Sequence, residues 1–160
     1  MGLVALGVWI ATAGFGMYLL SIWLIEYDRE YQKVTATRLP PPVLVAHIVL
    51  ALGSLVVWGT YLILDDDELL WIAFLGACLA SSLGLIMAAR WLTVYRAKRA
   101  VGQERRSLVL AGQYGEAAVL DAAVLEGPPE RNFPLPVVIT HGAFAAATLA
   151  LVLLTAFRGS

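Results

Sequence analysis

Charge is scarce in this sequence: Asp, Glu, Lys and Arg make up 14% of 160 residues, against 60% that are hydrophobic. A water-soluble chain of this length cannot hide that much apolar side-chain surface, so the composition excludes an ordinary soluble domain. A single cysteine, Cys78, excludes an internal disulfide and leaves the redox compartment open. Two histidines and that distant cysteine do not make a closed zinc site, which takes four ligands. No Asp or Glu lies deep in an apolar stretch, so a carboxylate relay for protons or ions lacks its residues. No nucleophile motif, phosphate-binding glycine loop or metalloprotease signature occurs, and a net charge of −1 argues against a nucleic-acid partner. The first apolar run has no Lys or Arg before it, unlike a secretory signal, and Leu6 stands where a myristoylation signal needs Ser or Thr.

What the sequence has is length of apolar run. A membrane-spanning helix needs about 20 mostly apolar residues, and four stretches qualify, 3–26, 41–64, 69–94 and 135–157. They predict an all-α integral membrane protein, a single membrane domain over 1–160, folded as an up-and-down bundle of four transmembrane helices. Basic residues concentrate in two connections: Arg29, Lys33 and Arg38 in one, and Arg96, Lys98, Arg99, Arg105, Arg106 and Arg131 in the other. The acidic turn Asp65-Asp66-Asp67-Glu68 has none. Positive loops stay inside, so both termini are expected outside a bacterial cytoplasmic (inner) membrane, with 95–134 as a cytoplasmic loop. Within that loop, Ala117 to Glu126 reads as a short helix stopped by Gly127-Pro128-Pro129. Trp58, Tyr61 and Trp71 on one side, and Trp23, Tyr27, Tyr31, Trp91 and Tyr95 on the other, are placed as interfacial aromatic belts would be.

Compared with itself, the chain shows a repeat. Pro40-Pro41-Pro42-Val43-Leu44-Val45-Ala46-His47 aligns with Pro134-Leu135-Pro136-Val137-Val138-Ile139-Thr140-His141 at an offset of 94, and the match continues at Ala51 with Ala145 and Leu55 with Leu149. The first and third spans align at an offset of 68, through Gly16 with Gly84, Trp23 with Trp91, Leu24 with Leu92 and Tyr27 with Tyr95. The expected architecture is therefore a tandem, parallel repeat of a two-helix unit: unit one is 1–64 and unit two is 69–158.

Proline suits the first turn of a helix, where its missing N–H would be unpaired anyway. His47 and His141 each follow the last such proline by five residues, so both are expected about 8 Å inside the bilayer, at one depth. In an up-and-down bundle the second and fourth spans are diagonal, roughly 11 to 14 Å apart. Two imidazoles at that separation can approach one haem iron from opposite faces. Each histidine heads a stripe at helical spacing, Ala51 and Ser54 after His47, Ala145 and Thr148 after His141, small enough to admit a flat macrocycle. Arg38, Arg90 and Arg131 are candidates to pair with its propionates. The same residues permit other readings: duplication copies a histidine whatever its role, small residues pack helices tightly, and the imidazoles could join helices by hydrogen bonds, contact a quinone or handle protons.

In general architecture this arrangement resembles the small four-helix anchors and cytochromes of respiratory complexes, which hold a b-type haem between histidines on different spans. That resemblance implies a small membrane subunit of respiratory electron transfer, not an enzyme on its own, with haem b held by His47 and His141 and with lipid and membrane-protein subunits, or further copies of itself, as partners. The alternative is an accessory subunit of a larger membrane complex that carries no cofactor.

Overall fold

The computed structural model describes residues 1–27, 39–125 and 128–159; Arg29, Tyr31, Lys33 and Arg38 lie outside them. The described chain is helical, with no strand among the described residues. Four helices are long and apolar enough to cross a membrane: α1 (Gly2–Glu26), α2 (Pro41–Leu64), α3 (Asp67–Leu110) and α5 (Leu135–Gly159). A short helix α4 (Tyr114–Leu125) and a 3₁₀ turn (Pro129–Asn132) lie between α3 and α5.

Local chemistry sets these boundaries. Pro40 precedes α2 and accepts from the N–H groups of Val43 and Leu44, and Pro134 does the same for Val137 and Val138 ahead of α5. The α2–α3 connection is two residues. Asp65 turns the chain with φ 53°, its N–H donating to Tyr61 O at 2.8 Å; this left-handed conformation is one that a short polar side chain tolerates. The Asp66 side chain then caps α3 by accepting from the N–H of Glu68 at 2.9 Å, and Asp67 and Glu68 place negative charge on the positive end of that helix.

α3 does not stop at residue 94. It runs without a break to Leu110, 16 residues further, about 24 Å of helix. Val94-Tyr95-Arg96-Ala97-Lys98-Arg99-Ala100 contains no glycine or proline, so nothing in the sequence ends the helix where the apolar run ends. It stops before Gly112, whose φ of 77° turns the chain back, and α4, beginning at Tyr114 rather than at 117, packs on the α3 extension with an Arg105–Asp121 ion pair between them.

α1 packs along α5 and α2 along α3, whereas the α1/α2 and α3/α5 seams meet far less extensively; the backbones of α2 and α5, like those of α1 and α3, stay more than 8 Å apart between Cα atoms. The bundle is thus two close-packed pairs set face to face, with α2 and α5 on one diagonal. The end holding Met1, Asp65–Asp66 and Phe157 is here the hairpin end, and the end holding Tyr27, Leu39 and Phe133 the loop end. The closed core fills the hairpin half: Ala5, Trp9, Trp58, Tyr61, Leu70, Ala73, Ala77 and Val152. Large apolar side chains cover the outside, among them Leu3, Ile25, Ile63 and Leu85, each more than 70% exposed on the bare chain. Of the residues expected in aromatic belts, Trp23, Trp58, Tyr61 and Trp91 are instead buried in the bundle.

Candidate functional site

Packing changes abruptly halfway along the bundle. Thr12, Ser54, Ala80 and Thr148, one from each helix, form a buried layer that tops the core. Beyond them no residue is buried on α1 until Trp23 or on α3 until Trp91, and none is buried on α2 from Pro41 to Gly53 or on α5 from Leu135 to Ala147. This loosely packed band is closed at the loop end by Trp23, Trp91, Leu39, Pro129 and Glu130, all buried. The 3₁₀ turn contacts both α1 and α3, so it crosses that end diagonally.

His47 and His141 occupy the band. His47 Nδ1 lies 2.8 Å from Ala80 O on α3, and His141 Nδ1 lies 3.0 Å from Thr12 O on α1. A carbonyl only accepts, so each Nδ1 carries the proton, and in the neutral imidazole each Nε2 keeps a bare lone pair. Neither Nε2 has a hydrogen-bond partner among the described residues. Each ring also rests on a glycine: a Cβ on Gly16 would come 3.1 Å from His141 Cε1, and one on Gly84 would come 3.2 Å from His47 Cε1. Each close-packed pair therefore carries one histidine, seated on its neighbour's backbone, and the two rings face each other across the plane between pairs. Their centres are 6.3 Å apart and their planes 69° from parallel.

The stripes below the histidines point into the bundle as their spacing requires. Ser54 and Thr148 are buried and bonded to their own helices, at Leu50 O (2.6 Å) and Phe144 O (2.9 Å). Thr148 also approaches Thr12, hydroxyl to hydroxyl at 3.4 Å. Ala51 and Ala145 are half-buried above them. Arg90 is exposed on α3, Arg38 lies outside the described residues, and Arg131 sits at the loop end against Glu26 and Pro128 O. The backbone acceptors at Thr12 and Ala80 carry no sequence signal. The glycine seats do: Gly16 and Gly84 align at the offset of 68, and reading them as contacts of the histidines aligned at 94 would have located both.

Among the described residues no three His, Cys, Asp or Glu side chains come together as a metal-binding group, so the histidine pair stands alone as candidate ligands. Comparison with known proteins adds no constraint, since no family model, curated protein or solved structure matches the chain.

Proposed function

We propose that this chain is an integral membrane protein that holds one b-type haem between His47 and His141 and passes single electrons to a quinone or a partner complex. The observation that carries the reading is the spacing of the two imidazoles. An iron bound by both Nε2 atoms at the usual imidazole–metal distance of about 2 Å would set the ring centres roughly 6 to 6.5 Å apart, and the rings stand at 6.3 Å. The Nδ1–carbonyl bonds supply the outer-shell partner that fixes the tautomer of a metal-bound histidine. Held by both histidines, a haem would supply one-electron exchange. The protein's part is to hold two imidazoles at that distance and to surround the macrocycle with the apolar walls of the loosely packed band.

Membrane integration rests on the four apolar helices and their apolar exterior. Orientation rests on charge: Arg96, Lys98, Arg99, Arg105 and Arg106 lie on the part of α3 beyond the loop end, while the hairpin end has four acids at 65–68 and a single basic residue, Arg158, a balance that favours the loop end in the cytoplasm of a bacterial cell and both termini outside. The fold is read as a tandem two-helix repeat because residues offset by 68 and 94 make equivalent contacts: Gly16 and Thr12 hold His141 as Gly84 and Ala80 hold His47. The exposed apolar residues of the α3–α4 hairpin, Leu110, Tyr114 and Val119, suit contact with a membrane-protein partner or a further copy of the chain.

The reduced, purified protein should show the sharp α-band of a b-type haem, and either His47→Ala or His141→Ala should abolish it. A colourless, normally folded preparation after haem supplementation would sink the reading. The Nδ1–carbonyl bonds equally favour a second one, a cofactor-free accessory subunit in which the histidines only join helices. It predicts no colour and a cost of about 0.6 kcal/mol for each histidine replaced, the average for a hydrogen bond between membrane helices.

A further inference from the structure

Trp23 and Trp91 are 5% and 6% exposed, and neither indole N–H has a hydrogen-bond partner among the described residues. A buried donor left without an acceptor costs about 1 to 3 kcal/mol, so two at aligned positions call for a cause. Each lies seven residues from a glycine that seats a histidine, Trp23 from Gly16 and Trp91 from Gly84. Seven residues are two helical turns, so each indole shares its glycine's face and sits about 10 Å nearer the loop end. Both pack on tyrosines one turn further on, Trp23 stacked on Tyr27 at 4.2 Å and Trp91 tilted against Tyr95 at 5.2 Å between ring centres, which fixes the indoles in place.

We propose that the indole N–H groups of Trp23 and Trp91 are the donors for the two carboxylates of the haem, one indole for each; this rests on the histidine ligation above. A flat macrocycle held by His47 and His141 from the two helix pairs would be bordered by the α1/α2 and α3/α5 seams. Trp23 borders the first seam, in an apolar groove of about 330 Å³ lined also by Leu20, Leu44 and Ile48. Trp91 is its counterpart on α3. The haem carries its two carboxylates on one edge, and the band offers two donors at one end. At the other end the hydroxyls of Thr12, Ser54 and Thr148 already bond to their own helices, so the macrocycle enters with one orientation, carboxylates toward the loop end. Of the charged groups described there, Arg131 pairs with Glu26, and the buried Glu130 has an interaction of its own. The third indole without an acceptor, Trp58, lies in the closed core against Trp9 and Tyr61, away from the band.

The test compares haem with the same haem esterified at both carboxylates, bound to the full-length protein in detergent and followed by absorption. A hydrogen bond to a charged acceptor contributes enough for Trp23→Phe or Trp91→Phe to weaken binding of free-acid haem roughly tenfold to a hundredfold. The diester should lose less than twofold on the same substitution. Equal losses for acid and diester would make the indoles packing groups and overturn the proposal while leaving histidine ligation intact. Wild-type protein that binds neither form would overturn the ligation reading and this one with it. Should the phenylalanine variants fail to fold, wild-type protein binding acid and diester equally well is enough to refute it.

Discussion

Adding one methyl group at Gly16 or Gly84 should weaken haem binding without weakening the fold, and the two positions should differ by a margin the geometry fixes. Ordinary contact begins near 3.4 Å, whereas the new Cβ would lie 3.1 Å from His141 Cε1 and 3.2 Å from His47 Cε1. Each imidazole must retreat by a few tenths of an ångström, and the loosely packed band lets it move. Retreat along the Nδ1–O line would stretch the His141 bond from 3.0 Å to about 3.3 Å and the His47 bond from 2.8 Å to about 3.0 Å. The first passes the usual limit of about 3.2 Å and the second stays within it. Gly16→Ala therefore loses a hydrogen bond contributing about 0.5 to 1.5 kcal/mol, a roughly twofold to tenfold loss of haem affinity, and Gly84→Ala loses less. The cofactor-free fold loses the same hydrogen bond but gains up to about 1 kcal/mol from Ala over Gly in a helix interior, so its stability should change little. Haem titration followed by absorption and thermal unfolding of the cofactor-free protein in one detergent measure the two effects separately. A larger loss for Gly84→Ala than for Gly16→Ala, or stability falling in step with haem affinity, would refute the reasoning.

Other consequences are as direct. Asp65→Gly should raise stability by up to about 1 kcal/mol in reversible unfolding, since φ 53° costs glycine nothing. Gly112→Ala should cost about 1 to 2 kcal/mol, read as faster hydrogen exchange confined to α4 and the end of α3, because φ is 77° there and no neighbouring atom would be displaced. Oxidised holoprotein should give a strongly anisotropic low-spin electron paramagnetic resonance signal, because imidazole planes 69° from parallel leave two iron d orbitals nearly degenerate; the rhombic signal of parallel ligands would show that the rings reorient on binding. In a Cys78→Ser background, Asp66→Cys should react with a membrane-impermeant thiol reagent on intact cells and Glu104→Cys only after lysis; the reverse pattern would invert the proposed orientation.

Helix number, the placing of α1, α2 and α5, and the α2–α5 diagonal were legible because apolar runs, prolines and short connections act locally, within the segment that shows them. The continuation of α3 to Leu110 was hidden: an apolar run marks where a membrane would end, and helix geometry has no reason to end there without a glycine or proline. The histidine pair was visible as a pairing and a depth, not as a contact. Its partners are backbone oxygens at Thr12 and Ala80, which any residue supplies, so that half of the site left no trace in the sequence. The burial of Trp23 and Trp91 was missed because a tryptophan near a helix end has the same sequence signature whether it faces lipid or the bundle.

Duplication alone would account for there being two histidines, so the pairing itself carries little weight; what matters is what each histidine does with its two ring nitrogens. A histidine kept only to join helices is complete once Nδ1 has donated, and His47 and His141 have both done so, to backbone atoms on the neighbouring helix of their own pair. Such a bond stabilises α2 against α3, or α5 against α1, wherever the ring's other edge points. It gives no reason for both rings to meet across the plane between the pairs, where the helices pack least and the core has stopped. There two lone pairs remain without donors among the described residues, on rings whose centres are set 6.3 Å apart. Hydrogen bonding explains how the rings are held, and the proposed ligation of a shared iron would explain where they are held. His47→Gln separates the two: an amide retains a donor for Ala80 O, so helix contact should survive while the α-band is lost. Retention of a bis-imidazole spectrum in that variant would remove His47 from the iron and end the argument.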